Sequence, residues 1–111
     1  MPAWFVYLAR CADQSLYCGI ALDVAARVAA HDAGTGARYT RGRGPLAVVL
    51  VRRMRDKGRA LRLEHAIKQL APREKRALAA DPSGVERVVR QLRPARTASI
   101  QPKPKRVSGS R

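Results

Sequence analysis

The sequence predicts a small α/β domain of the α+β type, and three observations support this fold class. Two short runs rich in aromatic and branched residues, 3–11 and 16–22, flank a polar break, which is the pattern of a β-hairpin. A third apolar run, 46–51, has the length of a buried strand. The segments 24–33 and 57–92 carry helix signals instead of strand alternation.

The predicted hairpin carries one tyrosine on each strand, Tyr7 and Tyr17. A strand tyrosine usually packs in the core or on the surface, with its hydroxyl bonded to a neighbour. The two phenols project from the same face only if the connecting loop has an odd number of residues, such as three or five, or if a bulge intervenes. A loop of two or four residues would place them on opposite faces.

A first helix is expected from about residue 24 to residue 33, with Asp23 as its N-cap and Gly34 after its end. Its inward stripe includes Arg27 and His31, which lie one turn apart. A charged arginine on such a stripe either meets an anion or extends its head group into water.

The apolar run 46–51 is expected to be the third and central strand, and basic residues from Arg52 onward then form a rim. A second helix is expected over about residues 57–70, with Glu64 at the edge of its apolar stripe. In a chain with few acids, a carboxylate at that position is expected to pair with an arginine or to hold a cation.

The last part of the domain is expected to be helical. Pro72 opens a helix that ends near residue 80. Ser83 and Glu86 have the spacing of a capping box before a final helix, about 83–92. We therefore expect one domain over residues 1–93, followed by a basic, disordered tail over residues 94–111.

A glycine-rich loop is expected over residues 34–45. Glycines let a backbone approach a phosphate chain closely because they lack a Cβ. The candidate nucleic-acid contacts in this loop are three arginines and one tyrosine: Arg38, Arg41, Arg43 and Tyr39. The arginines supply positive charge and the tyrosine can stack on a base. The alternative is a solvated loop whose charge is incidental.

The charge of the chain points to a polyanionic partner. The sequence has 23 lysines and arginines against 8 acids, a formal charge of +15. All 8 acids and 18 of the basic residues lie within residues 1–93, so this part alone carries +10. Nucleic acid is the simplest partner, and charge does not choose between DNA and RNA. The alternatives are charge that serves solubility or contact with anionic lipid.

Membrane insertion and zinc binding are not expected. No apolar run approaches the ~20 residues that span a bilayer, and the N-terminal residues lack a signal-peptide pattern, so we expect a cytoplasmic protein. Cys11 and Cys18 do not have the spacing or number of a zinc site. Reduced thiols in or beside the hairpin are expected instead.

Two triplets of the hairpin, Val6-Tyr7-Leu8 and Tyr17-Cys18-Gly19, carry a motif. They resemble the two half-motifs of the GIY-YIG nuclease superfamily. With Arg27, His31 and Glu64 in register downstream, the resemblance covers about residues 3–80 and is to the small stand-alone bacterial branch. It implies a three-stranded antiparallel sheet flanked by helices, with the site on one face of the sheet.

The chain departs from the family pattern at three points. The first triplet stands where the namesake motif has Gly-Ile-Tyr, and Cys18 stands where the second triplet has isoleucine. Some members of the superfamily also place an asparagine near the site, and this chain contains no asparagine. The two tyrosines are retained despite these changes.

The resemblance implies six site residues: Tyr7, Tyr17, Gly19, Arg27, His31 and Glu64. In this interpretation Tyr7 helps to take the proton from the attacking water, and Tyr17 forms a hydrogen bond near the phosphate or the water. Gly19 keeps the second strand clear for close approach.

The remaining roles concern charge. Arg27 stabilises the negative charge of the phosphate, and His31 orients neighbouring groups or relays a proton. Glu64 binds one divalent cation, which we expect to be Mg²⁺. A phenol with a pKa near ~10 is a poor base at neutral pH, so Tyr7 is expected to need both Arg27 and the metal ion.

The resemblance thus implies a metal-dependent endonuclease that hydrolyses phosphodiester bonds in DNA. Branched, damaged or single-stranded substrates and a role in DNA repair or recombination are part of this expectation. The alternative is a basic nucleic-acid-binding protein, for DNA or RNA, that keeps the nuclease fold without catalysis.

Overall fold

The computed structural model describes residues 2–33 and 45–92. These residues form three strands and four helices: β1 (Trp4–Arg10), β2 (Leu16–Ala21), α1 (Val24–Asp32), β3 (Ala47–Met54), α2 (Lys57–Lys68), α3 (Pro72–Ala80) and, after a 3₁₀ turn at Pro82–Gly84, α4 (Val85–Arg90). The strands form one antiparallel sheet in the order β2-β1-β3. The predicted α+β class and its three-stranded antiparallel sheet are confirmed. Within the described ranges, no helix combines the length and the apolar character needed to cross a membrane.

The central strand is β1, so the prediction that the run 46–51 is central is wrong. Strand β1 is fully buried over Val6–Ala9, because the sheet is covered on both faces there. Strand β3 is an edge strand, and its Val48 and Val51 remain 39% and 50% exposed. It also continues to Met54, through the arginines that we expected to follow the strand.

Five residues, 11–15, connect β1 to β2, so the loop has an odd number of residues. The backbone N–H of Cys11 donates to the Ser15 carbonyl at 2.8 Å, and Gln14 adopts a left-handed φ of 73°. In the resulting register Tyr7 lies opposite Gly19 and Ala9 lies opposite Tyr17. Directly opposed residues share a face, so both tyrosines project to the same side of the sheet. Of the two loop parities that the sequence left open, the structure has the odd one, because Cys11 belongs to the loop and not to β1.

The two faces of the sheet have different cores. Helices α2, α3 and α4 cover one face, where the buried residues are apolar: Val6, Leu8, Cys18, Leu50, Met54, Ala60, Leu63, Ile67, Leu78 and Val85. Helix α1 covers the other face, where Val24 and Val28 pack beside a cluster of two tyrosines, one leucine and three small residues: Tyr7, Tyr17, Leu46, Ala9, Cys11 and Ala21. We call these the aliphatic face and the tyrosine face. Cys11 and Cys18 are both buried free thiols, as expected.

Helix α1 is held at both ends by aspartates. Asp23 accepts a hydrogen bond from the Ala26 N–H at 3.0 Å, which confirms it as the N-cap. At the other end, Asp32 accepts from the N–H of Leu46 at 2.9 Å and so fixes α1 against the start of β3. His31 is buried against the sheet, whereas Arg27 is exposed. The exposure of Arg27 fits the alternative in which its head group extends into water.

Helices α2 and α3 begin where expected, whereas α4 is shorter than the predicted 83–92 and spans Val85–Arg90. Helix α2 starts at Lys57 and ends at Lys68, two residues early, and α3 matches its predicted bounds. The predicted capping box is wrong. The Ser83 hydroxyl donates to Asp81 at 2.7 Å, and Glu86 accepts from the Arg52 guanidinium at 2.8 and 3.0 Å. The distant arginine outcompetes the local backbone for the Glu86 carboxylate.

Candidate active site

The two tyrosines meet above a glycine. The ring centroids of Tyr7 and Tyr17 are 6.1 Å apart, with an angle of 53° between the planes. A Cβ at Gly19 would lie 2.9 Å from the Tyr7 hydroxyl oxygen and 3.1 Å from Cε2 of Tyr17. Position 19 therefore favours glycine, because a Cβ there would force the Tyr7 hydroxyl to move and would crowd the Tyr17 ring. The missing side chain at Gly19 thus lets the protein's own tyrosines pack close to the backbone of β2.

His31 joins the pair from helix α1. Its Nε2 lies 3.3 Å from the Tyr7 hydroxyl, within hydrogen-bond distance. Its ring also stands edge-on to Tyr17, with centroids 5.5 Å apart. His31 is 2% exposed and Tyr7 has no exposed surface, whereas Tyr17 is half-buried. The structure thus places a buried Tyr7–His31 pair beneath a phenol that reaches the surface.

Burial controls the protonation of this pair. Loss of water raises the pKa of Tyr7 well above the usual phenol value of 10.0, and the neighbouring Tyr17 raises it further. Burial also raises the pKa of Tyr17. The same desolvation lowers the pKa of His31 below 6.5, and the positive charge of Arg27 adds to this effect. At neutral pH the Tyr7 hydroxyl is therefore protonated and the imidazole is neutral.

Arg27 lies at the rim of the cluster. Its charge lowers the pKa of both Tyr7 and Tyr17, but for each phenol the effect of burial is larger. No other residue in the described ranges forms a salt bridge with Arg27. An exposed guanidinium beside two phenols is suited to an anionic ligand.

Glu64 approaches the tyrosines from the opposite side of the sheet. It lies on α2, next to the buried Leu63, and its side chain is 18% exposed. Its negative charge raises the pKa of Tyr7, Tyr17 and Cys18, so the carboxylate is within electrostatic reach of both phenols. Its ion-pair partner is Lys68, with Nζ 3.3 Å from Oε2, and not an arginine as one alternative predicted.

Among the described residues, Glu64 is the one carboxylate whose charge acts on both tyrosines. No group of three or more histidine, cysteine or acidic ligands occurs within the part of the chain that the structure describes. A single carboxylate fits Mg²⁺, which keeps several water ligands and binds substrate phosphates. The Lys68–Glu64 pair is partly solvated and therefore weak, so a divalent cation can displace the lysine.

Sequence reasoning missed two lysines near Tyr17. Lys68 and Lys75 line a pocket at the edge of β2, between that strand and helices α2 and α3. The four-residue spacing between Glu64 and Lys68 was the available signal for the first of them. The predicted loop contacts Arg38, Tyr39, Arg41 and Arg43 lie outside the described residues.

Comparison with known proteins identifies the family. The family model described as the GIY-YIG catalytic domain matches residues 3–77. The chain is 49% identical over 78 residues to the UPF0213 protein DP2720 of Desulfotalea psychrophila, covering 69% of this chain and 71% of that protein. It is 40% identical over 92 residues to the UPF0213 protein YhbQ of Salmonella arizonae, covering 83% and 92%.

A solved structure is also similar. The solution NMR structure of the UPF0213 protein BH0048 from Bacillus halodurans is 40% identical, covers 70% of this chain and 83% of its own, and has a TM-score of 0.47. The family match spans both tyrosines, Arg27, His31 and Glu64. With the sequence identities to the two relatives, it shows that the chain belongs to the GIY-YIG family and, within it, to the small UPF0213 proteins.

Proposed function

We propose that the protein is a metal-dependent endonuclease that hydrolyses phosphodiester bonds in DNA. The observation that carries this proposal is the convergence of Tyr7, Tyr17 and His31 on one face of the sheet, within ring or hydrogen-bond contact. Hydrolysis needs an acceptor for the proton of the attacking water and positive charge where negative charge develops. The cluster and its rim provide both.

The proposed proton acceptor is the Tyr7–His31 pair. We assign the imidazole tautomer in which Nε2 is unprotonated, so that the Tyr7 hydroxyl donates to it across the 3.3 Å contact. As the hydroxyl oxygen of Tyr7 takes a proton from water, its own proton passes to His31. This relay requires no free phenolate, which the raised pKa of Tyr7 disfavours.

The proposed phosphate ligands are Arg27 and Tyr17. Arg27 is exposed at the rim, where its guanidinium can contact two phosphate oxygens. Tyr17 is half-buried and touches the position where a Gly19 Cβ would lie, beside the Tyr7 hydroxyl. Because Tyr7 is fully buried, substrate has to shift Tyr17 slightly for water to reach the inner hydroxyl.

Glu64 is the proposed metal ligand. Mg²⁺ bound there would neutralise charge on the phosphate and leaving oxygens. The protein's own part is to present one carboxylate at the β2 edge, close enough to influence both phenols. Lys68 orients this carboxylate through the 3.3 Å contact when no cation is bound.

The substrate and setting are also proposals. The formal charge of +15 supports a nucleic-acid ligand, and Arg38, Arg41, Arg43 and Tyr39 are its proposed additional contacts. We propose branched, damaged or single-stranded DNA as the preferred substrate, with a cytoplasmic role in repair or recombination. Competition between DNA and RNA of equal length tests the choice of polymer.

The test is cleavage of labelled branched, linear and single-stranded DNA in Mg²⁺ and in EDTA. We expect Mg²⁺-dependent cutting by the wild type, and loss of cutting but not of binding in Glu64→Gln. The matched control is Glu74→Gln on α3, which removes an acid whose contact is the helix-capping N–H of Ala71. If every DNA stays intact with Mg²⁺, the nuclease proposal is wrong.

A second candidate is a nucleic-acid-binding protein without catalysis. Two observations favour it: Tyr7 is fully buried, and Glu64 is paired with Lys68. Under this alternative Glu64→Gln binds DNA at least as tightly as the wild type, and neither protein cuts it. Arg27→Ala then weakens binding, whereas under the nuclease proposal it mainly lowers kcat.

A further inference from the structure

A pocket of about 320 Å³ opens at the free edge of β2, next to the tyrosine pair. Its lining combines one aromatic ring, three small or aliphatic residues and two lysines: Tyr17, Leu8, Leu16, Cys18, Lys68 and Lys75. Tyr17 is shared between this pocket and the candidate active site. A ligand strand that contacts Tyr17 on the tyrosine face can therefore continue directly into the pocket.

The two lysines give the pocket its positive charge. Lys75 is half-buried, whereas its helix neighbours Arg73 and Arg76 are exposed, so Lys75 is the α3 cation that turns inward. Within the described ranges no carboxylate forms a salt bridge with Lys75. Lys68 has one such contact, the partly solvated pair with Glu64.

The charges of both lysines act inside the pocket. Lys68 lowers the pKa of the Tyr17 phenol, and both lysines lower that of the Cys18 thiol, against the larger raising effects of burial and of the Glu64 charge on Cys18. The two ammonium groups can bind one phosphate, and the apolar residues of the pocket can contact the sugar beside it. Lysine is a compact point charge that binds phosphate without a fixed geometry.

We propose that this pocket is a phosphate subsite, in which Lys68 and Lys75 hold a backbone phosphate of the substrate strand next to the one at the tyrosine pair. The inference rests on the proposed function for the identity of the substrate. It adds a binding position on the opposite side of Tyr17 from Arg27. Substrate then spans the edge of β2, from the tyrosine face to helices α2 and α3.

The test measures binding of a short single-stranded oligothymidylate to the Tyr7→Phe variant, which keeps the strand intact. In NMR titrations we expect the amides of Leu16 and Cys18 to shift. Replacing both lysines, in Lys68→Gln/Lys75→Gln, is expected to weaken binding about tenfold. It should also reduce the slope of log affinity against log salt by about 0.7, the value for one contact to a single strand.

The matched control is Arg73→Gln/Arg76→Gln, which removes the same charge from exposed positions of α3. We expect less than a threefold change in affinity and no change in the salt slope. Glu64→Gln frees Lys68 from its partner and is expected to tighten binding severalfold. Equal losses in the two double variants, or shifts that avoid Leu16 and Cys18, would overturn the proposal.

A second experiment changes the ligand. One neutral methylphosphonate replaces a different phosphate in each of a series of oligothymidylates, and we expect one position at which it weakens binding. In Lys68→Gln/Lys75→Gln that loss of affinity should disappear, which is the coupling expected between this phosphate and the two lysines. If the wild type cuts no DNA but this coupling is found, the subsite stands and the nuclease proposal fails. If DNA is cut and the coupling is missing, the subsite proposal fails alone.

Discussion

The two faces of the sheet are built from different chemistry on the same three strands. On the aliphatic face, every buried residue is apolar, and helices α2 to α4 exclude water from it. On the tyrosine face, the single helix α1 buries a hydroxyl and an imidazole against each other. Residues one apart on β1, such as Tyr7 and Leu8, therefore belong to different cores.

This division separates stability from chemistry. The aliphatic face supplies most of the burial that offsets the entropy cost of folding. The tyrosine face places polar groups out of water and shifts their pKa values, which is a property of functional sites. Glu64 is the link between them, because it lies on a helix of the aliphatic face and still acts on both phenols.

The largest expected effect is that of Tyr7→Phe on catalysis. Removing the hydroxyl eliminates the proposed proton relay, so kcat is expected to fall about 10²- to 10⁴-fold. The lost hydrogen bond to His31 should cost only about 1 kcal/mol of unfolding free energy. Single-turnover cleavage and urea denaturation measure the two quantities. A variant that cuts DNA at the wild-type rate would contradict the assignment.

The opposite result is expected from Leu63→Ala on the aliphatic face. Leu63 has no exposed surface, and its truncation should lower the unfolding free energy by about 3 kcal/mol. The folded fraction should keep kcat within about threefold, because Leu63 packs in the aliphatic core and not in the cluster around Tyr7. Leu61→Ala on the same helix is the control, since Leu61 is 44% exposed and should change stability by less than about 0.5 kcal/mol.

Gly19→Ala tests the packing of the tyrosine face. Its methyl would lie 2.9 Å from the Tyr7 hydroxyl, so we expect a loss of about 1–3 kcal/mol in unfolding free energy and reduced kcat. In a Tyr7→Phe background this stability loss should be smaller, because the colliding oxygen is absent. Gly58→Ala is the control, since its Cβ would meet other atoms only at 3.5 Å or beyond. Equal losses in both variants would refute the steric argument.

The strand and helix positions were mostly predictable, because they depend on local pattern. The polar break after β1, the Asp23 cap and Pro72 all act within a few residues of the structure they determine. The position of β3 in the sheet was not predictable from local pattern. Its apolar run looks like a buried strand, and only the pairing of β1 with both neighbours shows that it is an edge.

The partners of polar side chains were the least predictable part of the structure. Glu86 pairs with an arginine 34 residues away, and the Lys68–Lys75 pocket requires two helices and a strand edge to meet. The resemblance to the GIY-YIG motif did imply that Tyr7, Tyr17 and His31 lie close together, and their rings are in contact. It could not predict that burial, and not the charge of Arg27, dominates the pKa of Tyr7.

A smaller effect is expected from pH. Burial lowers the pKa of His31, so the imidazole is neutral at pH 7 and becomes charged only as the pH falls below 6.5. We expect kcat/KM to decline by up to about tenfold per pH unit on that acid limb. Stability should decline there too, because the unfolded state binds the proton more readily.

The control for the pH profile is His65→Gln, since His65 is exposed on α2. It should leave the acid limb unchanged, whereas His31→Gln should remove the limb and lower the plateau. A limb that persists in His31→Gln would assign the titration to another group.

The most direct test of the central claim, that residues from both faces form one metal-dependent site, is paramagnetic NMR with substoichiometric Mn²⁺. We predict selective broadening of the Tyr17, Cys18 and Glu64 amides, abolished in Glu64→Gln and retained in Glu74→Gln. Broadening that is centred elsewhere, or that is unchanged in Glu64→Gln, would contradict the claim.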